Sequence, residues 1–155
     1  MRLKDIIIVS LIFLLDRISK IYVIHLDEIL LNSEIITSKF INIQLIWNEG
    51  VAFGLFAFDD KSFYNLITGF IIIVILTLIY FIRKTRGIEK YSFIVILGGA
   101  LGNVFDRFLY SAVPDFIDIH YQNFHWFIFN VADIFISLGV ILLIYLEFFK
   151  KDIYV

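Results

Sequence analysis

Ser62 to Ile82 is a run of 21 residues without a single charge. A segment that long and that apolar predicts a helix able to cross the hydrocarbon of a bilayer, because only a helix satisfies its own backbone groups there. The rest of the chain must then be arranged around a membrane. The composition agrees: 61% of residues are apolar, and mean hydropathy is +0.91, too greasy for a domain whose whole surface meets water. There is no cysteine. That excludes disulfides, thiol redox chemistry and Cys-based metal sites, and with them the four-helix quinone-linked thiol oxidoreductases.

Three more spans are predicted, at about 6–25, 91–110 and 131–149, giving an all-α membrane fold of four helices in one domain over 1–155. The first has the look of a secretory signal peptide, since Arg2 and Lys4 precede the apolar core Ile6 to Leu15. No small-residue cleavage site follows, and the core runs directly into Asp16 and Arg17, so it is expected to be a retained helix. Basic residues gather at Arg2 and Lys4, at Arg83, Lys84, Arg86 and Lys90, and at Lys150 and Lys151. The positive-inside rule puts these ends in the cytoplasm, which is an N-in, C-in topology with 26–61 and 111–130 on the outer side. In 26–61 the alternation Ile41, Ile43, Leu45, Trp47 predicts a strand of a small extracytoplasmic sheet. Beyond it Gly50 and Gly54 mark a turn, and Phe53, Phe56 and Phe58 suit a short interfacial helix before the second span.

Polar groups in such a chain need a reason. Asp16 and Lys20 stand four apart on one helix face, where an ion pair makes burial tolerable; the spacing alone leaves open whether the pair is structural or supports a site. Gly98 and Gly102 form a GxxxG pattern that admits a close helix neighbour. They interrupt an apolar span and follow no strand, which argues against a phosphate-binding loop. Asn103 can share a face with Asp106 or Arg107, and Arg107 is expected to supply the positive charge that offsets buried carboxylates.

Asp115 is expected in the outer loop, stiffened by Pro114, and Asp133 in the first turn of the last helix with Asn130 as N-cap. Both carboxylates then arrive at one depth. Two close carboxylates share a proton, so that one can act as base on water while the other, protonated, polarises a carbonyl. Spacing alone leaves the plainer alternative equally open: a helix-terminal charge and a carboxylate at the water boundary.

The full set of motifs tips that balance. DRISK at 16–20, NEGVAF at 48–53, GNVFDR at 102–107, VPDF at 113–116 and FNVAD at 129–133 resemble the blocks of bacterial lipoprotein signal peptidases, the signal peptidase II family, in order and spacing across essentially the whole chain. The resemblance implies that Asp115 and Asp133 are the catalytic dyad. It implies supporting or substrate-binding roles for Asp16, Lys20, Asn48, Gly50, Asn103, Arg107 and Asn130. It further implies a prolipoprotein substrate bearing a diacylglyceryl cysteine, cut just before that cysteine, in the bacterial inner membrane with the site facing outward. No cofactor and no metal are expected; the partners are the prolipoprotein and membrane lipids, and the chain is expected to be a monomer. Ile18 and Ser19, Glu49 and Pro114 depart from the residues usual at those places.

Other classes fit less well. A proton-coupled transporter would spread acidic groups through the span, whereas here they collect at one face. A metal site built on His120, His125, Asp115 and Asp118 lacks an HExxH pattern, and the two histidines are five apart. Ser19 and Lys20 are adjacent on a helix and point apart, which disfavours a Ser/Lys protease. The basic residues lie at helix ends with no aromatic-interleaved patch, so no nucleic-acid partner is expected.

Overall fold

Four helices and a three-stranded sheet make up the computed structural model, which describes residues 1–30, 35–49 and 61–150. In chain order these are α1 (Leu3–Leu30), β1 (Ile41–Asn48), α2 (Lys61–Lys84), α3 (Gly87–Tyr110), β2 (Val113–Tyr121), β3 (Phe124–Phe129) and α4 (Val131–Lys150). The interfacial helix expected around Phe53, Phe56 and Phe58, and the turn glycines Gly50 and Gly54, fall outside the described residues.

The helices are built inside out. Along α1 the buried positions Asp5, Val9, Ile12, Asp16, Lys20 and Val23 form a single stripe at helical spacing, with the buried Arg17 at its edge, while Leu11, Leu15, Ile18 and Tyr22 stay more than half exposed. Charge faces protein and aliphatic carbon faces outward, the reverse of a water-soluble helix. α2, α3 and α4 are long and apolar enough to cross a membrane. α1 has the length, at 28 residues, but carries Asp16, Arg17 and Lys20 near its middle.

α3 is the central element. It is 67% buried over its span, against 22% and 17% for α2 and α4, and it packs against all three other helices. Glycine makes this possible. A Cβ on Gly98 would lie 2.8 Å from Ile12, one on Gly102 would overlap the Asp16 carboxylate, and one on Gly99 would meet the Ala132 carbonyl oxygen at 2.5 Å. The GxxxG pair therefore seats α1 and the glycine between them seats α4. α2 reaches α3 through a two-residue turn, Thr85 and Arg86, where Gly87 takes a positive φ of 62°.

The sheet departs from expectation. β1 is where alternation predicts a strand, but it pairs with β2, and β2 in turn with β3, so 111–130 is a hairpin and not a loop. β2 is the middle strand, antiparallel to both. A proline such as Pro114 argues against a central strand; here it is tolerated as the second residue, opposite Trp47, where the ladder is only beginning. A bulge between Ile43 and Ile46 re-aims β1 so that Asp115 pairs with Ile46 and Val113 with Asn48.

Candidate active site

Each carboxylate is held by a different kind of element. Asp115 projects from β2 and is 3% exposed. Its Oδ2 accepts from Asn48 Nδ2 at 2.8 Å, at the end of the neighbouring strand, and its Oδ1 accepts from Asn130 Nδ2 at 2.6 Å. Asp133 lies in the first turn of α4, where the Asn130 Oδ1 accepts from its backbone N–H at 3.1 Å and its own Oδ2 accepts from the Asn130 N–H at 3.2 Å. This is a reciprocal capping box with aspartate in the place of glutamate. Asn130 is thus the hinge pin of the pair. Its carbonyl oxygen is committed to the α4 backbone, so its amide nitrogen must point at Asp115.

The second Asp133 oxygen, Oδ1, accepts from Asn103 Nδ2 at 2.8 Å. Asn103 is oriented in turn by Lys20, whose Nζ donates to Asn103 Oδ1 at 2.9 Å, Asp16 Oδ2 at 2.9 Å and Asp106 Oδ2 at 2.6 Å. Three partners use all three donors of this fully buried amine, so none of its N–H groups is left unsatisfied. Arg17 pairs with Asp106 Oδ1, so two cations balance two anions behind the site. Asp16 also serves the last helix. Its Oδ1 accepts from the Ala132 N–H at 2.9 Å, satisfying one of the unpaired donors at the start of α4.

The expected Asp16–Lys20 pair is present and is joined by Arg17 and Asp106. Lys20 and Arg17 are the cations bound to Asp16 and Asp106, whereas Arg107 donates from NH1 to the Asn103 carbonyl at 3.3 Å and lines the cavity itself. Sequence spacing does not single out Arg17 and Asp106 as site residues. The helical spacing of Asp106 from Asn103 carries a signal, but the Lys20 that binds Asp106 lies more than 80 positions away on another helix.

Asp115, Asp133, Asn48, Asn103, Asn130 and Arg107 all line one cavity of about 280 Å³. Apart from Ser137, its remaining wall is apolar, from Phe70, Ile71 and Val74 of α2, Ile96 and Ala100 of α3, Val113 of β2 and Ile136 of α4. Asp16 and Lys20 stand behind this wall and act through Asn103 and Ala132; Gly50 lies outside the described residues. Burial pushes the Asp115 carboxyl up to about 6, and the nearby Asp133 charge adds to the rise, against the lowering effect of the Asn48 and Asn130 amides. At neutral pH such a group is poised to exchange a proton.

His120, His125 and Asp118 form a separate cluster on the sheet. The His125 Nδ1 is 2.7 Å from Asp118 Oδ2, and the imidazoles stack at 5.2 Å. None of the three lines the cavity, and among the described residues no three such groups converge to hold a metal ion.

The sequence pattern of the family described as Signal peptidase (SPase) II matches residues 8–149. The chain belongs to the signal peptidase II family. It is 47% identical over 148 residues to a lipoprotein signal peptidase of Pelagibacter ubique, covering 96% of this chain and 89% of that one. A lipoprotein signal peptidase of Anaplasma phagocytophilum is 36% identical over 149 residues, covering 95% and 93%. Among solved structures, a bacterial membrane enzyme determined by the in meso method at 2.3 Å superposes with a TM-score of 0.74 at 28% identity, over 97% of this chain and 90% of that one. Membership in this family makes the chain a membrane protease, and the five motif blocks that resemble the family all fall inside the matched residues.

Proposed function

We propose that this chain is an aspartic endopeptidase that removes the signal peptide from diacylglyceryl-modified prolipoproteins, with Asp115 and Asp133 as its dyad. One observation carries the reading: the two carboxylates are joined through a single asparagine, Asn130, and both line a cavity whose wall away from the dyad is mostly aliphatic and aromatic. A water held between the carboxylates loses a proton to one of them and attacks the scissile carbonyl, while the other, protonated, donates to the carbonyl oxygen. The proton then returns to the leaving amine. Asn48, Asn103 and Asn130 hold the carboxylates in register, and Arg107 stands in the cavity wall where substrate backbone carbonyls would pass.

The apolar wall gives the lipid of the substrate a place to lie, and cleavage just before the lipid-bearing cysteine follows from anchoring the acyl chains beside the dyad. Four spans in an N-in, C-in arrangement fit the distribution of basic residues, with α1 as the fourth span because its charges turn toward α3. The site would then open outward from the bacterial inner membrane, in a single-domain monomer.

The test is cleavage of a diacylglyceryl-modified prolipoprotein peptide by the purified protein in detergent, with and without chelator. Asp115→Asn and Asp133→Asn should each reduce turnover by at least about 10³-fold while remaining folded, and chelator should leave the parent rate unchanged. Near-normal rates in both variants would overturn the dyad.

A further inference from the structure

A second cavity lies at the opposite end of the helices. It has a volume of about 540 Å³ and is lined by Arg2 and Lys4 at the start of α1, Arg83 at the end of α2, Arg86 in the turn, and Lys90 and Tyr91 at the start of α3. Asn103, which marks the dyad end of α3, is about 20 Å beyond Lys90 along the same helix at 1.5 Å per residue. The two cavities are therefore distinct sites.

Five cations converge on this space, and among the described residues only Lys90 has a carboxylate partner, Asp5 at 2.5 Å. The positive-inside rule accounts for basic residues near this end of the helices. It does not account for five of them, drawn from three helices and a turn, lining one cavity, where a single anion would meet several cations at once. The surroundings narrow the choice of anion. Arg83 is next to last in the apolar span Leu66–Lys84 and so stands at headgroup depth, while Leu3, Ile7 and Ile88, within three residues of cavity-lining positions on α1 and α3, leave aliphatic surface exposed. A phosphate in the cavity could keep two acyl chains on that surface.

We infer that this cavity is a binding site for the phosphate headgroup of an anionic phospholipid. Arg83 and Arg86 are its principal ligands, Lys4 closes it from α1, and the Lys90–Asp5 pair fixes its floor.

The protein, purified in detergent, would be titrated with phosphatidylglycerol or phosphatidylcholine and bound lipid counted by native mass spectrometry. Phosphatidylglycerol should bind at least tenfold more tightly than phosphatidylcholine. Arg83→Gln/Arg86→Gln should weaken phosphatidylglycerol on the order of tenfold and leave phosphatidylcholine unchanged. Lys4→Gln, an exposed single change on a different helix, should weaken it in the same direction and serves if the double variant does not fold. Equal affinity for the two lipids, or no loss in a folded variant, would overturn the inference. So would displacement of the lipid by millimolar inorganic phosphate, which would mark a free-anion site.

Discussion

Asp115 is the residue whose chemistry and stability pull in opposite directions. Its folded value of about 6 lies above the ordinary 3.8, so the folded state holds the proton more tightly than the unfolded state. Between those values unfolding releases a proton, stability falls as pH rises, and the cost of the buried charge is fully present above about pH 6. Asp115→Asn removes that cost. Asn130 cannot turn, since the Asp133 N–H holds its oxygen, so the new side chain keeps its oxygen toward the Asn130 NH2 group and its own NH2 group toward Asn48. The variant should therefore gain stability over the parent at pH 7.5, by on the order of 1 to 3 kcal/mol, and keep only about a third of that advantage at pH 4.5, the rest going as pH falls below the unfolded value. Thermal unfolding in detergent at the two pH values measures it. A gain that is the same at both would show that the Asp115 charge is not the cause. Lys20 makes the opposite case. Lys20→Met strands Asp16 and Asp106 in the protein interior and should cost about 3 to 5 kcal/mol. Combined with Asp106→Asn the loss should be smaller than the sum by at least about 1 kcal/mol, and a double-mutant cycle on unfolding reads the coupling.

At the scale of elements, what limits the site is how closely α3 can be approached. Gly102 and Gly69 form a matched pair for testing this. A Cβ at Gly69 of α2 meets nothing within 4 Å, so Gly69→Ala should be neutral or stabilise by up to about 1 kcal/mol through helix propensity. A Cβ at Gly102 displaces the Asp16 carboxylate that binds Lys20 and caps α4. Gly102→Ala should cost about 1 to 3 kcal/mol and most of the turnover, because the shift propagates through Ala132 to Asp133. Equal melting temperatures for the two variants would argue against the close packing of α1. The same elements mark where the sequence is legible. An uncharged run announces α2, alternation announces β1, and a capping asparagine announces the start of α4. β2 is hidden by Pro114 and by its acidic residues, which read as a loop until β1 and β3 cover them on either side. The Arg17–Asp106 pairing is hidden for another reason: local spacing limits which residues share a face, but not which distant helix that face will meet.

For the whole molecule, the inside-out distribution of side chains calls for a solvent that is apolar around the helices and aqueous at their ends. The sheet lies at the dyad end, with Trp126, Phe124 and Phe127 half exposed on β3, aromatic residues suited to a membrane boundary. The basic turn at Arg86 lies at the other end. If the dyad opens outward, these two ends face different compartments, and a chain with no cysteine permits a clean test of it. Gln122→Cys places a thiol at the tip of the β2–β3 hairpin, and Arg86→Cys places one in the α2–α3 turn. In intact cells whose outer membrane has been made permeable, a membrane-impermeant maleimide should label position 122 at once and position 86 only after the inner membrane is disrupted. Labelling in the reverse order would invert the topology, and it would place the peptidase chemistry on the wrong side of the membrane for a substrate already exported. Labelling of both without disruption would mean that the helices do not span the bilayer, leaving their exposed aliphatic faces unexplained.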